Sequence, residues 1–150
     1  MTITKGEKAK ALFLEGYNCA QAVLGAFCED FGLDYEMAMK FSSGFGGGMG
    51  RLREVCGAVS GMFMVINLKC GYTSPTDNKG KKELYSHIQT LAKKFEEENG
   101  SIICRELLGL SEKVSEPTPD TRTDTYYKKR PCGELVEIAA NIVDEYINNL

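Results

Sequence analysis

Six cysteines are spread along the 150 residues, at Cys19, Cys28, Cys56, Cys70, Cys104 and Cys132, and no two lie closer than nine residues. This spacing constrains the fold more than any other feature of the chain. There is no Cys-x-x-Cys pair, which excludes a thioredoxin-type motif, a zinc ribbon, bacterial-ferredoxin ligation and covalent c-type haem. Any centre shared by several thiols must therefore draw each one from a different segment, and the fold must bring those segments together. A length of 150 residues suits a single domain, 1–150, with a real hydrophobic core. Lys and Arg number 18 against 21 Asp and Glu, a net charge of −3, which argues against nucleic acid as a partner. With one His, chemistry built on several histidines is excluded. The longest apolar run, Met62 to Ile66, is far too short to span a membrane. The opening MTITKGEKAKALFLEG carries charges where a signal peptide needs an apolar stretch, so the expected location is cytoplasmic. Structural disulfides are rare there, and cysteines in number suggest metal or redox chemistry, or small buried hydrophobes.

Periodicity predicts an all-α domain of about six to seven helices. Thr4 and Glu7 form a capping box ahead of Ala9, Leu12 and Phe13, and Gly16 stops that helix. Asn18 and Gln21 open a second, with Ala22, Val23, Ala26 and Phe27 as its stripe and Gly32 at its end. Asp34 caps a short helix through Met37, Met39 and Phe41. After the loop GFGGGMG, an apolar helix is expected from about Leu52 to Lys69, stopped at Gly71. Leu84, Ile88, Leu91 and Phe95 mark the next, ended by Gly100, and a shorter one runs from about Ile102 to Leu108. Residues 111–130 have no apolar period and read as a functional loop or a disordered one. Pro131 then suits the first position of a last helix striped by Leu135, Ile138, Ala139, Ile142, Val143 and Tyr146.

Four of the cysteines fall at or near helix starts. Cys19 follows the capping Asn18, Cys132 follows Pro131, Cys104 lies in a first turn, and Cys56 lies about a turn into the helix behind the glycine loop. Free N–H groups and the macrodipole favour an anion there, so lowered thiol pKa values are expected. Cys28 and Cys70 sit toward helix ends and read as core. Along a helix Cys19 and Cys28 are about 13 Å apart and Cys56 and Cys70 about 21 Å, so neither pair shares one ion. Arg51, Arg53, Arg105, Lys128, Lys129 and Arg130 flank these cysteines. They read as a solvated basic surface or as offsets for thiolate charge.

Glycine marks the same region. In CGAVSG, Gly57 and Gly61 share one helix face, each at a cost of about 1 kcal/mol against Ala. Close helix packing, close approach of a cofactor or a homodimer contact would compensate. Gly47 and Gly48 can present N–H groups to sulfur or another anion. The run matches neither a dinucleotide fingerprint nor a P-loop. Met37, Met39, Met49, Met62 and Met64 read as packing residues, His87 as a boundary residue, and Tyr126 and Tyr127 as exposed tyrosines or a cover over the site.

GFGGGMGRLREVCGAVSG, together with the cysteines of GYNCAQAV, SIICRELLG and RPCGELV, resembles the C_GCAxxG_C_C family of redox-active proteins. The resemblance spans about Ala11 to Ile147 and implies that Cys19, Cys56, Cys104 and Cys132 are the family cysteines, in a helical redox or metal-binding domain. A similar domain occurs in split-Soret-type cytochromes, which implies an iron–sulfur centre; the haem-attachment motif is missing here. Three chemistries remain open for these four residues. These are an iron–sulfur cluster, most simply [2Fe–2S], with a redox partner protein; thiol–disulfide exchange by a pair; or a structural zinc ion. A helical module without redox chemistry is the fourth alternative.

Overall fold

The computed structural model describes residues 2–111, 114–123, 126 and 131–150. Local capping explains where most helices begin. Helix α1 (Lys5–Leu14) starts at a reciprocal box in which the Glu7 N–H donates to Thr4 Oγ1 at 3.0 Å and the Thr4 N–H to Glu7 Oε1 at 3.1 Å. Asn18 and Gln21 make the same exchange, at 2.9 and 3.0 Å, ahead of α2 (Cys19–Gly25). Asp34 caps α3 (Tyr35–Ser42), and Asp77 caps the helix α5 described below. Helix α4 (Gly57–Cys70) follows the glycine loop, α5 (Asn78–Asn99) ends at left-handed Gly100, α6 (Cys104–Leu107) is a single turn, and α7 (Cys132–Asn148) closes the chain. The fold is all-α, as the periodicity predicts. Among the described residues the extended pairing is one isolated bridge, Val55 with Ile103.

Helix α4 is the centre of the core. Ala58, Val59, Met62, Val65 and Ile66 are fully buried, and the helix packs on α2, α5 and α7. It is apolar nearly all round, as expected for a helix covered on several sides. The amphipathic α5 contributes Leu84, Leu91 and Phe95. Helix α1 lies along α7, tied by the Gly6 N–H to Asn141 Oδ1 at 2.8 Å. His87 is a boundary residue whose Nδ1 lies 2.6 Å from Tyr146 Oη. Among the described residues no helix is long and apolar enough to cross a membrane.

Three expectations need correction. Helix α4 begins at Gly57, not near Leu52, because residues 53–56 are drawn into extended pairing with residues 102–105. Cys56 is therefore the N-cap rather than a residue inside the helix. Helix α2 ends at Gly25 rather than continuing to Gly32; a 3-10 turn, Glu29–Phe31, precedes Gly32 at φ 62°. Met37 and Phe41 are 57% and 67% exposed, so the α3 stripe lies partly on the surface, whereas Met39 and Met62 are core.

The glycine face of α4 is resolved as close helix packing. A Cβ at Gly61 would stand 2.8 Å from Val23 Cβ and 3.0 Å from the Ala20 carbonyl oxygen of α2. At Gly133 the nearest atom would be Phe13 Cδ2 at 3.6 Å, an ordinary contact. Gly61→Ala should therefore destabilise the protein by about 1–3 kcal/mol despite its better helix propensity. Gly133→Ala should leave stability unchanged or raise it by up to about 1 kcal/mol. Urea denaturation of both variants measures the contrast, and equal effects would contradict this packing.

Candidate functional site

Four helix starts meet at one end of the domain. Cys19, Cys104 and Cys132 are the first residues of α2, α6 and α7, and Cys56 is the N-cap of α4. All four line one cavity of about 360 Å³, together with Gly47, Gly48 and Gly57. Cys56 and Cys104 are buried, while Cys19 and Cys132 are half-buried. Cys28 lies elsewhere in the core, its thiol donating to the Leu24 carbonyl at 3.4 Å, and Cys70 is the last residue of α4. All six cysteines are free.

The backbone that gathers the thiols is unusual. Gly47, Gly48, Met49, Gly50 and Arg51 have φ between 61° and 70°, five consecutive residues in the left-handed region. They form a left-handed turn closed by the Gly50 N–H to the Gly46 carbonyl at 3.0 Å. The Arg53 and Glu54 N–H groups return to the Gly47 and Gly48 carbonyls at 3.3 and 2.9 Å. A Cβ at Gly48 would stand 2.6 Å from Cys104 Cβ and 2.8 Å from Arg53 Cα, so glycine is required there for space as well as for φ. Met49, Arg51 and Arg53 (φ 59°) each bear roughly 1–2 kcal/mol of left-handed strain. Such strain concentrates at functional sites.

Beyond this turn the chain pairs with the start of α6. The Cys56 N–H donates to the Ile102 carbonyl at 2.8 Å, and the Cys104 N–H to the Glu54 carbonyl at 2.6 Å. Two ligand-type residues 48 positions apart are thus set by direct backbone bonds. At the other side, Gly57 lets α4 approach α2: a Cβ there would lie 3.0 Å from Cys19 Cβ. Asn18 secures the corner, donating from Nδ2 to the Ser43 carbonyl at 2.9 Å.

Residues 114–123 run across the cavity as a strap, which answers the question left open for part of the polar stretch. The Ser115 N–H donates to the Arg51 carbonyl at 2.9 Å, and Arg51 forms an ion pair with Asp120 at 3.2 Å. Arg122 donates to the Phe13 carbonyl and, at 2.8 Å, to the Tyr17 carbonyl, and its guanidinium lies 4.2 Å from the centre of the Phe13 ring. Tyr126 also lines the cavity. Tyr127, Lys128, Lys129 and Arg130 lie outside the described residues.

The arginines divide. Arg105 pairs with Glu54 at 3.2 Å, and Arg51 with Asp120. Arg53 is only 2% exposed, so it is no solvated surface residue. Its Nε donates to Ser115 Oγ at 2.9 Å and its Nη1 to Cys104 Sγ at 3.6 Å. Nothing in the sequence marks Arg53 apart from its neighbours, and the anchoring role of Arg122 leaves no sequence signal either.

The expectation of lowered thiol pKa values is overturned for Cys19 and Cys56. Cys19 is raised well above the ordinary thiol range, first by its hydrogen bond with Cys132, then by burial, and then by the neighbouring sulfurs of Cys132, Cys56 and Cys104. Burial pushes Cys56 up to about 12, although the Ala58 and Val59 amides act in the expected lowering direction. Desolvation outweighs the helix start here. Among the described residues no group of three or more His, Cys, Asp or Glu stands in position to hold a metal ion.

These raised values fix a pH dependence for the metal-free reduced protein. Below the unfolded thiol pKa near 9 both states are protonated and the contribution to stability is fully present. Between about 9 and 12 the unfolded thiols ionise first, so stability falls as pH rises. Urea midpoints at pH 8 and pH 10.5 should show this fall, and Cys19→Ala combined with Cys56→Ala should reduce it. A slope unchanged by that double variant would contradict the assignment.

No curated protein and no solved structure matches this chain. The family described as "Putative redox-active protein (C_GCAxxG_C_C)" matches residues 17–146, nearly the whole chain and all four cavity cysteines. The protein belongs to this redox-active family.

Proposed function

We propose that Cys19, Cys56, Cys104 and Cys132 hold an iron–sulfur cluster, most simply [2Fe–2S], and that the protein carries electrons between redox partner proteins. The observation that carries this reading is the convergence of four thiols, one from each of four helix starts, on one cavity. The donor set fits, since four thiolates are the usual complement of such a cluster. A bound cluster would supply one-electron transfer, accepting an electron from a donor and passing it to an acceptor. The rest is the work of the chain. The four cysteines would give up their thiol protons on ligation, and the repulsion among their sulfurs, which adds to the Cys132 hydrogen bond and burial in keeping Cys19 protonated, would then act in favour of a cation. Gly48 and Gly57 keep side chains out of the space between the sulfurs. The strap supplies Pro117, Pro119, Asp120 and Arg122 to the lining of the cavity. A reducing cytoplasm suits six free cysteines.

One observation favours a second reading. Cys19 and Cys132 are already hydrogen-bonded to each other. Oxidation of this pair would form one S–S bond, release two protons and pass two electrons to a disulfide-bearing partner.

Protein purified without oxygen should contain iron and sulfide and show a visible band that dithionite bleaches. Single Ala variants of Cys19, Cys56, Cys104 or Cys132 should lose the band, and those of Cys28 or Cys70 should keep it. A colourless protein that takes up neither iron nor sulfide on reconstitution would sink the cluster, and zinc at one ion per chain would replace it with a structural site. In the second reading, oxidation should give a Cys19–Cys132 disulfide by peptide mapping, with Cys56 and Cys104 still reduced. Mixed pairing among all four would count against a dedicated pair.

A further inference from the structure

We propose that Arg53 is the resident counter-cation of the four-cysteine site, a positioning residue whose buried charge offsets the negative charge that the thiols acquire when they ligate. The inference rests on the ligand reading of these cysteines and adds a residue to it. A guanidinium is charged at every accessible pH, and burying it without an anion is strongly unfavourable. Arg53 is 2% exposed, yet among the described residues its hydrogen-bond partners are the Ser115 hydroxyl and the Cys104 sulfur. No carboxylate among the described residues stands within ion-pair distance of it, whereas Arg51 and Arg105 have Asp120 and Glu54.

Its backbone points the same way. Arg53 holds φ 59°, a conformation that Gly or Asn would adopt with less strain. The chain nevertheless keeps there the bulkiest cation available, in contact with the strap on one side and a cavity sulfur on the other. Four thiolates around a divalent ion carry a net charge of −2, and a fixed positive charge touching one sulfur lowers the free energy of that state relative to the thiol form. Reach, burial and charge thus agree on the same partner: the ligated, anionic state of the site.

Cadmium is a suitable probe, because it binds thiolates whether or not the protein takes up iron. The metal-free reduced protein is titrated with Cd²⁺ against a competing chelator, following the thiolate-to-cadmium absorption. Arg53→Met should weaken Cd²⁺ binding at least tenfold, and Arg53→Lys should recover most of that loss. Both variants keep the same left-handed strain, so their difference reports charge. Thermal unfolding of the metal-free proteins gives the complementary readout, in which Arg53→Met should unfold no earlier than Arg53→Lys. In iron-loaded protein Arg53→Met should lower the reduction potential, a tenfold change in a one-electron equilibrium being about 59 mV.

Wild-type protein that binds no Cd²⁺, an Arg53→Met variant that binds it as tightly as wild type, or an Arg53→Lys variant no better than Arg53→Met would each overturn the counter-cation role. The last result would instead identify a hydrogen-bonding strut between strap and core. Cd²⁺ binding with the stated dependence on Arg53, in a protein that accepts no iron and sulfide, would overturn the cluster and leave this inference standing.

Discussion

The close approach of α4 to α2 is the contact on which the rest of the site depends. Gly57 and Gly61 remove side chains from the face of α4 that meets Ala20 and Val23, so that the two helices touch nearly backbone to backbone. That contact places the N-cap of α4 beside the first residue of α2, and therefore Cys56 beside Cys19. It also fixes where the preceding segment must turn. The chain has to leave α3 at Ser42, pass the start of α2 and enter α4 at Gly57. The left-handed turn at residues 47–51 does this in a space where ordinary residues would collide with Cys104 and Arg53. The strain at Met49, Arg51 and Arg53 is tolerated because the core of α4, among the most buried parts of the molecule, holds both ends of the turn.

Much of this architecture was legible in the sequence because it is set locally. Thr4 with Glu7, Asn18 with Gln21 and Asp34 each satisfy amide groups within three residues, so the signal and the structure coincide. The convergence of Cys19, Cys56, Cys104 and Cys132 was legible for a related reason: each stands at a helix start, and helix starts can be read. What failed was non-local. Residues 53–56 follow directly on Leu52 in sequence, but backbone hydrogen bonds to residues 102–105 keep them out of the helix, and a partner about 48 positions away leaves no periodic trace. Arg53 is indistinguishable in sequence from Arg51, one turning into the protein and the other reaching Asp120 on the strap. The exposed Met37 and Phe41 followed a helical stripe correctly, but a stripe does not report whether another element covers it.

The thiol pKa values show why position on a helix is not enough to predict charge state. A helix start favours an anion through a few amides, an effect worth about 0.3–1 kcal/mol in exposed settings. Helix α2 is only seven residues long, so the aligned dipole behind Cys19 is short. Against it stand, at Cys19, the hydrogen bond with Cys132, then desolvation and three further sulfurs in the same cavity, and at Cys56 chiefly desolvation. The balance goes to the neutral thiol at Cys19 and Cys56.

This balance gives the site two well-separated states. With protons on sulfur, the cavity contains the hydrogen-bonded Cys19 and Cys132 and a buried guanidinium that touches Ser115 and Cys104. In the proposed ligated state, with the protons replaced by a multivalent cation, the same sulfurs would become ligands, the repulsion among them would be offset, and the guanidinium would face negative charge. Burial, which penalises isolated thiolates, strengthens the attraction in the ligated state because little solvent remains to screen it. Sequestration therefore discriminates between the two states more sharply than an exposed cysteine cluster would. The left-handed strain and the two helix-face glycines bring four thiols into one cavity, which supports the proposed multivalent centre over a single reactive thiolate presented to solvent.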